Sequence, residues 1–330
     1  RNEALENSGL PPAYTPEQIQ QLQAQGNGTW DIQHLIYDAP LQTQNVSISG
    51  GGESNSYFIS GGYQDQMSNF IGNGGQGSDF GYQKYNFRLN QTSVIGKFKF
   101  NGILEYTKTR NKTNSVGDNN IIADANRVPA NYSWTDAQGN FLTNPVASQY
   151  NEYGVLKQGG WNQADNDRIF GNLNGTLTIT KNLKLTGVFG GTIQNNGNFF
   201  RRTEVNYLPA GVYGNDLTTF DNNAKSNAFN TQLYASYDKT FHEDHHFSAT
   251  LGVSSENYYE RGFQLQKTLT DPTFGTSTTG TLIDATNSYN SLAVDQNSLL
   301  SAFGRIKYDY KNKYFLDFVF RDDASSKFAK

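Results

Sequence analysis

The chain has 330 residues, which is enough for one large domain or two domains of ordinary size. Its net charge of −4 argues against a nucleic-acid partner, and with no cysteine the chain has neither disulfides nor thiol chemistry. No run approaches the ~20 consecutive apolar residues of a transmembrane helix. A transmembrane β-barrel is still possible, because its alternating strands average to a polar composition.

Both ends of the sequence are abrupt. Arg1 begins polar sequence with no apolar leader segment, and Lys330 follows soon after a strong pair of predicted strands. A cytoplasmic protein would also lack a leader. We expect instead a fragment that is missing both its true beginning and its true end.

Residues 1–43 differ from the rest, and their pattern predicts a connector with one short helix. Thr15 is a favourable N-cap and Pro16 suits the first helical position. The helical pattern runs through Gln25 to a stop at Gly26.

Residues 44–330 predict an all-β, antiparallel fold. About ten runs alternate apolar and polar side chains, and each has the ~10 residues that a tilted strand needs to cross a bilayer. The predicted strands are 44–51, 55–65, 82–92, 96–108, 167–180, 182–193, 228–239, 246–256, 298–310 and 313–321.

The clearest strand pair lies at residues 298–321. Leu300, Ile306 and Leu316 share one face, whereas Lys307 and Asp317 share the other, because successive strand side chains point to opposite faces. This alternation fits both a soluble sandwich and a lipid-facing barrel. The cations expected on the polar, interior face are Arg88, Lys97, Lys99, Arg168, Arg305 and Lys307.

The predicted connections alternate between short and long. The short ones are 51–54, 93–95, 181, 240–245 and 311–312, and the long ones are 66–81, 109–166, 194–227 and 257–297. Long loops at one end and short turns at the other are typical of bacterial outer-membrane barrels, with the short turns in the periplasm. Aromatic residues near the short turns predict an interfacial belt: Tyr237, Phe241, Phe247, Tyr308, Tyr310 and Tyr314.

Several segments resemble SusC/RagA-type TonB-linked outer-membrane proteins. They are residues 38–51 (DAPLQTQNVSISGG), 57–66 (YFISGGYQDQ), 78–80 (SDF), 85–90 (YNFRLN), 303–310 (FGRIKYDY) and 320–328 (FRDDASSKF). The family more often has Arg-Tyr-Asp-Gly-Ser-Ser in the last segment, so Asp322 and Ala324 depart from its pattern. The resemblance covers nearly the whole chain.

The resemblance implies a barrel of about 22 strands closed by an internal plug. This chain would supply the first half of that barrel, without the plug and without the N-terminal motif that contacts the TonB complex. The implied function is active import of large nutrients, either oligosaccharides or peptides, with a SusD-like surface lipoprotein as partner. The rival interpretations are a surface-exposed, adhesive, glycan-binding β-protein and a passive porin.

The sequence contains no catalytic constellation, so we do not expect an enzyme. Long predicted loops supply aromatic and arginine side chains that could contact a substrate, although packing between loops is the more ordinary role. The candidates are Tyr132, Trp134, Trp161, Phe199, Arg201, Arg202, Tyr258 and Tyr259. No cofactor or metal site is predicted. Calcium at an extracellular loop around Asp165, Asn166 and Asp167 is possible, but the triplet lacks the other ligands of an EF-hand.

Overall fold

A computed structural model describes residues 1–24, 31–72, 80–128, 132–143, 151–209, 211–214, 217–268 and 291–328. Its helices are α1 (Asn2–Asn7), α2 (Pro16–Ala24), α3 (Asp118–Ala125) and α4 (Glu152–Gln158), with a 3₁₀ turn at Ile32–His34. Its strands are β1 (Leu41–Gly51), β2 (Asn55–Met67), β3 (Gly81–Ile95), β4 (Phe98–Asn114), β5 (Phe141–Leu142), β6 (Gly160–Thr180), β7 (Leu183–Arg202), β8 (Val205–Leu208), β9 (Gly211–Tyr213), β10 (Thr218–Phe241), β11 (His245–Thr268), β12 (Ser291–Tyr310) and β13 (Tyr314–Ser325).

Ten of these strands form one antiparallel sheet, which confirms the predicted all-β fold. The order is β1-β2-β3-β4-β6-β7-β10-β11-β12-β13, so each strand pairs with its neighbour in the chain apart from short elements in the connections. Those short strands, β5, β8 and β9, form a separate three-stranded sheet. None of the described helices is long and apolar enough to cross a membrane.

The register gives the large sheet one apolar face and one polar face. Ile306 lies opposite Phe318, whereas Lys307 lies opposite Asp317, as predicted for this hairpin. The same alternation continues across the other strands. The apolar face includes Val46, Ile59, Leu89, Leu104, Ile169, Leu173, Phe189, Ile193, Phe229, Leu233, Val253, Leu300, Ile306 and Phe318.

The apolar face is a band rather than a full-length surface. On β6 it ends at Ile169, and beyond it Asp167 accepts a hydrogen bond from the Tyr106 hydroxyl at 2.7 Å. Further along the same face, Arg110 forms an ion pair with Asp165 at 2.8 Å. The band therefore resembles the outer surface of a membrane barrel, whose apolar zone is about 25 Å tall.

The tight turns lie together at the other end of the sheet. Their residues are 52–54, 96–97, 181–182, 242–244 and 311–313. The predicted turn at 93–95 is wrong, because Ile95 still pairs with Phe98 and the chain reverses at Gly96, whose φ is +58°. The predicted aromatic belt lies at this end, with the Tyr237 and Phe247 rings 6.3 Å apart and the Tyr310 and Tyr314 rings 6.4 Å apart.

Most strands are longer than predicted. Strands β10 and β11 have 24 residues each, and the large sheet extends into the ends of the predicted connections 109–166, 194–227 and 257–297. Beyond the apolar band polar side chains occur on both faces, so the regular alternation stops while the backbone ladder continues. Strand β1 likewise begins at Leu41, three residues before the predicted start, because Leu41 pairs with Gln66.

Helix α2 begins as predicted. The Thr15 hydroxyl accepts a hydrogen bond from the Gln18 backbone at 3.3 Å, and the Gln18 side chain accepts one from the Thr15 backbone at 2.9 Å. This reciprocal pair is a capping box. The predicted end at Gln25 and Gly26 lies outside the described residues.

Connections at the end opposite the tight turns pack into a small unit, which we call the cap. It comprises the described residues of 31–37, 68–72, 115–159 and 203–217. The backbone of Ile71 donates to the carbonyl of Leu35 at 2.9 Å, which joins the segment before β1 to the β2–β3 connection. The buried core of the cap consists of Leu35, Phe70, Ile71, Ile121, Ala125, Val128, Trp134, Val155 and Leu156.

Candidate functional site

A groove of about 470 Å³ opens on the polar face, with walls that come from β6, β7, β10, β11 and β12. Small residues form its floor. Ala228 lies between Thr192 and Tyr258 in the register, and Gly190 lies between Asn172 and Asn230. Because these floor positions carry at most a methyl group, the polar face is hollow here.

Two adjacent rows of the register build the walls. One row carries the aromatic rings of Phe170 and Tyr258 across the floor from each other. The next row carries the amides Asn172 and Asn230 and the carboxylate Glu256. Aromatic faces combined with amides and a carboxylate can bind a polar ligand by stacking and by donating and accepting hydrogen bonds.

The rest of the polar face is charged, and some of its cations form ion pairs with carboxylates. Arg88 forms an ion pair with Glu105 at 3.2 Å, and the Arg305 Nε donates to Asp317 at 2.9 Å. The Arg168 guanidinium lies 5.5 Å from the centre of the Phe170 ring, at the edge of the groove.

Five of the six cations predicted for the polar face lie on it: Arg88, Lys99, Arg168, Arg305 and Lys307. The sixth, Lys97, lies in the β3–β4 turn, where its carbonyl accepts a hydrogen bond from the Thr178 backbone. The prediction for Lys97 is wrong because the turn lies at residues 96–97 and not at 93–95.

The eight predicted substrate contacts do not converge. Tyr258 and Arg202 lie on the polar face, and Tyr258 borders the groove. Trp134 is buried in the cap core and Tyr132 is exposed in the same connection. The other four project from the side of the sheet that carries the apolar band: Trp161, Phe199, Arg201 and Tyr259.

The two predicted arginines differ in their surroundings although they are adjacent in β7. Arg201 is buried, and its Nη1 donates to the carbonyl of Leu217 at 2.7 Å. The Arg202 guanidinium lies 5.7 Å from the ring centres of both Phe200 and Tyr213. These contacts tie β7 to the β9–β10 connection, so both side chains already serve packing between neighbouring segments.

The triplet considered for calcium lies within β6 and not in a loop. Asp165 pairs with Arg110 and also accepts from the Gln163 amide at 2.8 Å, while Asp167 accepts from Tyr106. Asn166 points to the opposite face, as alternation requires. In the part of the chain that the structure describes, no group of three or more metal-ligating side chains converges.

The cap contains one carboxylate whose environment favours its charged form. The Asn140 side-chain amide donates to Asp136 at 2.9 Å, and the Gln138 backbone donates at 3.0 Å. The side-chain hydrogen bond from Asn140 holds the pKa of Asp136 below its ordinary value. Asp136 therefore anchors the turn before β5 as an ionised group.

Sequence reasoning identified only Tyr258 among the groove residues. Most of the others lie in segments predicted as strands, such as Asn172, Gly190 and Asn230. The available signal was the pair Gly190-Gly191, because glycine inside a strand often marks a close approach or a hollow. Its meaning depends on the register of four neighbouring strands, which the sequence does not state.

Comparisons with known proteins confirm the family resemblance that the sequence motifs indicate. The chain is 24% identical to TonB-dependent receptor P3 of Formosa agariphila over 320 residues and 24% identical to TonB-dependent receptor P39 of the same organism over 312 residues. The alignments cover 93% and 91% of this chain but 30% and 28% of the relatives, so the chain spans about a third of their length. No protein-family model matches the chain.

A solved structure supports the fold in the same way. The RagAB peptide transporter superposes with a TM-score of 0.68 at 20% identity, covering 92% of this chain and 34% of that chain. The ten-stranded sheet thus has the fold of a stretch of the TonB-dependent receptor barrel.

Proposed function

We propose that this chain is part of the barrel of a TonB-dependent transporter in a bacterial outer membrane, and that the transporter actively imports a large nutrient. The proposal rests on one observation above all, the division of a ten-stranded sheet into an apolar band and a charged face. A barrel wall between lipid and a wet interior needs this division. The relatives are named as receptors, and transport rather than catalysis is the activity we propose.

The groove on the polar face would then line the interior and contribute to the substrate path. Its rings and amides suit either an oligopeptide or an oligosaccharide, and the RagAB neighbour is described as a peptide transporter. We therefore propose an oligopeptide as the first substrate to test and an oligosaccharide as the second. Tyr132 and Arg202 lie outside the groove. They remain predicted substrate contacts for the part of the path on the cap side of the groove.

The remaining features of the proposal concern partners and topology. The cap and residues 1–43 would lie on the extracellular side, with residues 44–330 in the barrel wall and the tight turns in the periplasm. A SusD-like surface lipoprotein would meet the cap side of the barrel, and the TonB complex would act through a region outside this chain. Lipid of the outer membrane would cover the apolar band.

The test uses cells that produce the intact protein containing this chain. Membrane fractionation should place the protein in the outer membrane. Uptake of a fluorescent oligopeptide or oligosaccharide should require an energised inner membrane, because active transport depends on it. Uptake that continues unchanged after the energy is removed would indicate a porin, and a protein that is water-soluble without detergent would indicate the adhesive alternative.

Two alanines of β10 provide a matched pair of variants for the groove. Ala228 lies on its floor, whereas Ala235 lies on the apolar face opposite Leu185 and Leu251. Ala228→Trp should fill the hollow and lower uptake at least tenfold, while Ala235→Trp should leave uptake near the wild-type rate. Equal uptake by both variants at equal protein levels would remove the groove from the substrate path.

A further inference from the structure

Two cations face each other on the outward side of the sheet. Lys225 of β10 lies directly opposite Arg261 of β11, and both side chains are exposed. Like charges at directly opposed positions destabilise a strand pair. Among the described residues, neither cation forms an ion pair with a carboxylate.

On nearby strands the charges that face each other are opposite in sign. At the same level of the register, Lys108 of β4 lies opposite Asp167 of β6, and the next pair outward is Arg110 and Asp165. Those pairs are complementary, with nitrogen-to-oxygen distances of 3.9 Å and 2.8 Å. On the other side of Lys225 lies Asn195, which is neutral. The Lys225–Arg261 pair is therefore the place where this level of the sheet has an excess of positive charge.

The pair also lies at the edge of the apolar band. Tyr259 and Phe263, the neighbours of Arg261 on the same face, are 38% and 53% exposed, and Val294 opposite Arg261 is 56% exposed. Exposed aromatic rings beside cations are typical of the boundary between lipid and water. Lipid headgroups lie at that boundary, and their phosphates carry the complementary charge.

An apolar groove of about 410 Å³ lies on the same face across β3, β4, β6 and β7, and it reaches β10 at Phe229. Gly102, Gly171 and Gly191 form its floor, and Phe229 borders it. Phe229 is four residues along β10 from Lys225, a separation of roughly 13 Å. A headgroup at the cations could therefore place an acyl chain in this groove.

We propose that Lys225 and Arg261 bind the headgroup phosphate of a phospholipid with a net negative charge, whose acyl chain lies in the glycine-floored groove beside Phe229. This inference rests on the membrane location in the proposed function. The headgroup phosphate neutralises the charges of Lys225 and Arg261, which strand pairing holds close together. The acyl chain of the lipid fills a hollow in the apolar band.

Native mass spectrometry of the intact, detergent-purified protein tests the proposal. The probes are dioleoyl phosphatidic acid, dioleoyl phosphatidylcholine and inorganic phosphate. Lys225→Gln combined with Arg261→Gln should weaken binding of phosphatidic acid about 30-fold, given two headgroup contacts. The control Lys84→Gln, which removes one charge from the polar face, should change binding less than about twofold.

A second variant separates loss of binding from loss of folding. Lys225→Glu replaces the like-charge pair by an oppositely charged pair, so the barrel should remain assembled while phosphatidic acid binding falls. Wild-type binding by the double variant would overturn the proposal, as would equally tight binding of inorganic phosphate or of phosphatidylcholine. If lipid binding failed and the protein were also found outside the membrane, both the lipid site and the proposed function would be contradicted. If it is in the membrane and imports its substrate, only the lipid site fails.

Discussion

The side chain of Asn151 donates a hydrogen bond to the backbone carbonyl of Trp134 at 2.9 Å. The same amide donates to the carbonyl of Leu142 at 2.5 Å, and its Oδ1 accepts from the Gly154 backbone at 2.8 Å. The backbone carbonyl of Asn151 in turn accepts from the Tyr207 hydroxyl at 3.0 Å. One fully buried residue therefore joins the connection before β5, the start of α4 and strand β8.

Replacing this residue should loosen the cap without disturbing the large sheet. Asn151→Ala removes the N-cap of α4 and the side-chain donor to the Leu142 carbonyl, at a cost of about 1–3 kcal/mol, while the Trp134 carbonyl keeps its hydrogen bond from the Leu142 backbone. We expect faster amide hydrogen exchange in α4, β5 and β8, with β10 and β11 unchanged. Asn119→Ala, at an exposed position of α3 in the same cap, is the control and should leave exchange as in the wild type.

The position of a residue within the apolar band should determine how much a charge introduced there destabilises the sheet. Leu233 lies in the middle of the band, between Gly187 and Val253, whereas Leu316 pairs with Tyr308 near the tight-turn belt. Leu233→Arg should cost about 2–4 kcal/mol and Leu316→Arg about 0–1 kcal/mol in equilibrium unfolding of the intact barrel. Lys307→Ala, on the polar face, should have little effect. A larger cost for Leu316→Arg than for Leu233→Arg would mean that the band has been located wrongly.

Two glycines of the same sheet should respond differently to alanine. A Cβ at Gly252 would lie 2.5 Å from the Tyr234 Cβ and 2.9 Å from the carbonyl of Leu233, whereas a Cβ at Gly187 has no atom within 4 Å. Gly252→Ala should therefore destabilise the barrel by about 1–3 kcal/mol through overpacking.

Gly187→Ala is the matched control and should be neutral or slightly stabilising, since alanine restricts the unfolded chain more than glycine does. Thermal unfolding of the two variants in the same detergent gives the comparison. Similar losses for both would show that the backbone of β10 shifts to make room and that the close approach at Gly252 is not limiting.

The two faces of the sheet could be predicted because they depend on local alternation. Leu300 and Ile306 lie where the period-2 pattern puts them, and Lys307 lies opposite Asp317. The strand ends could not be predicted in the same way. Once β10 passes Phe229 toward Lys225, both of its faces are polar, so the pattern disappears although the backbone pairing continues.

The groove and the cap escaped prediction because both depend on contacts between distant parts of the chain. Asn172 and Glu256 face one hollow only through the registers of the strands between them. Leu35, Ile121 and Val155 form one core although more than 30 residues separate each from the next. The family resemblance predicted the fold but contained no information on the groove or on the core of the cap.

The central claim is that lipid covers the apolar face and that water reaches the polar face. Adjacent residues of β10 test it directly, because Gln232 lines the groove and Leu233 lies on the apolar band. This chain has no cysteine, so it adds no background labelling to Gln232→Cys or Leu233→Cys in the intact, membrane-embedded protein. A water-soluble maleimide should label the Gln232→Cys thiol and leave the Leu233→Cys thiol largely unmodified, because a thiol in lipid forms little thiolate. Equal labelling of both positions, or faster labelling of Leu233→Cys, would contradict the account.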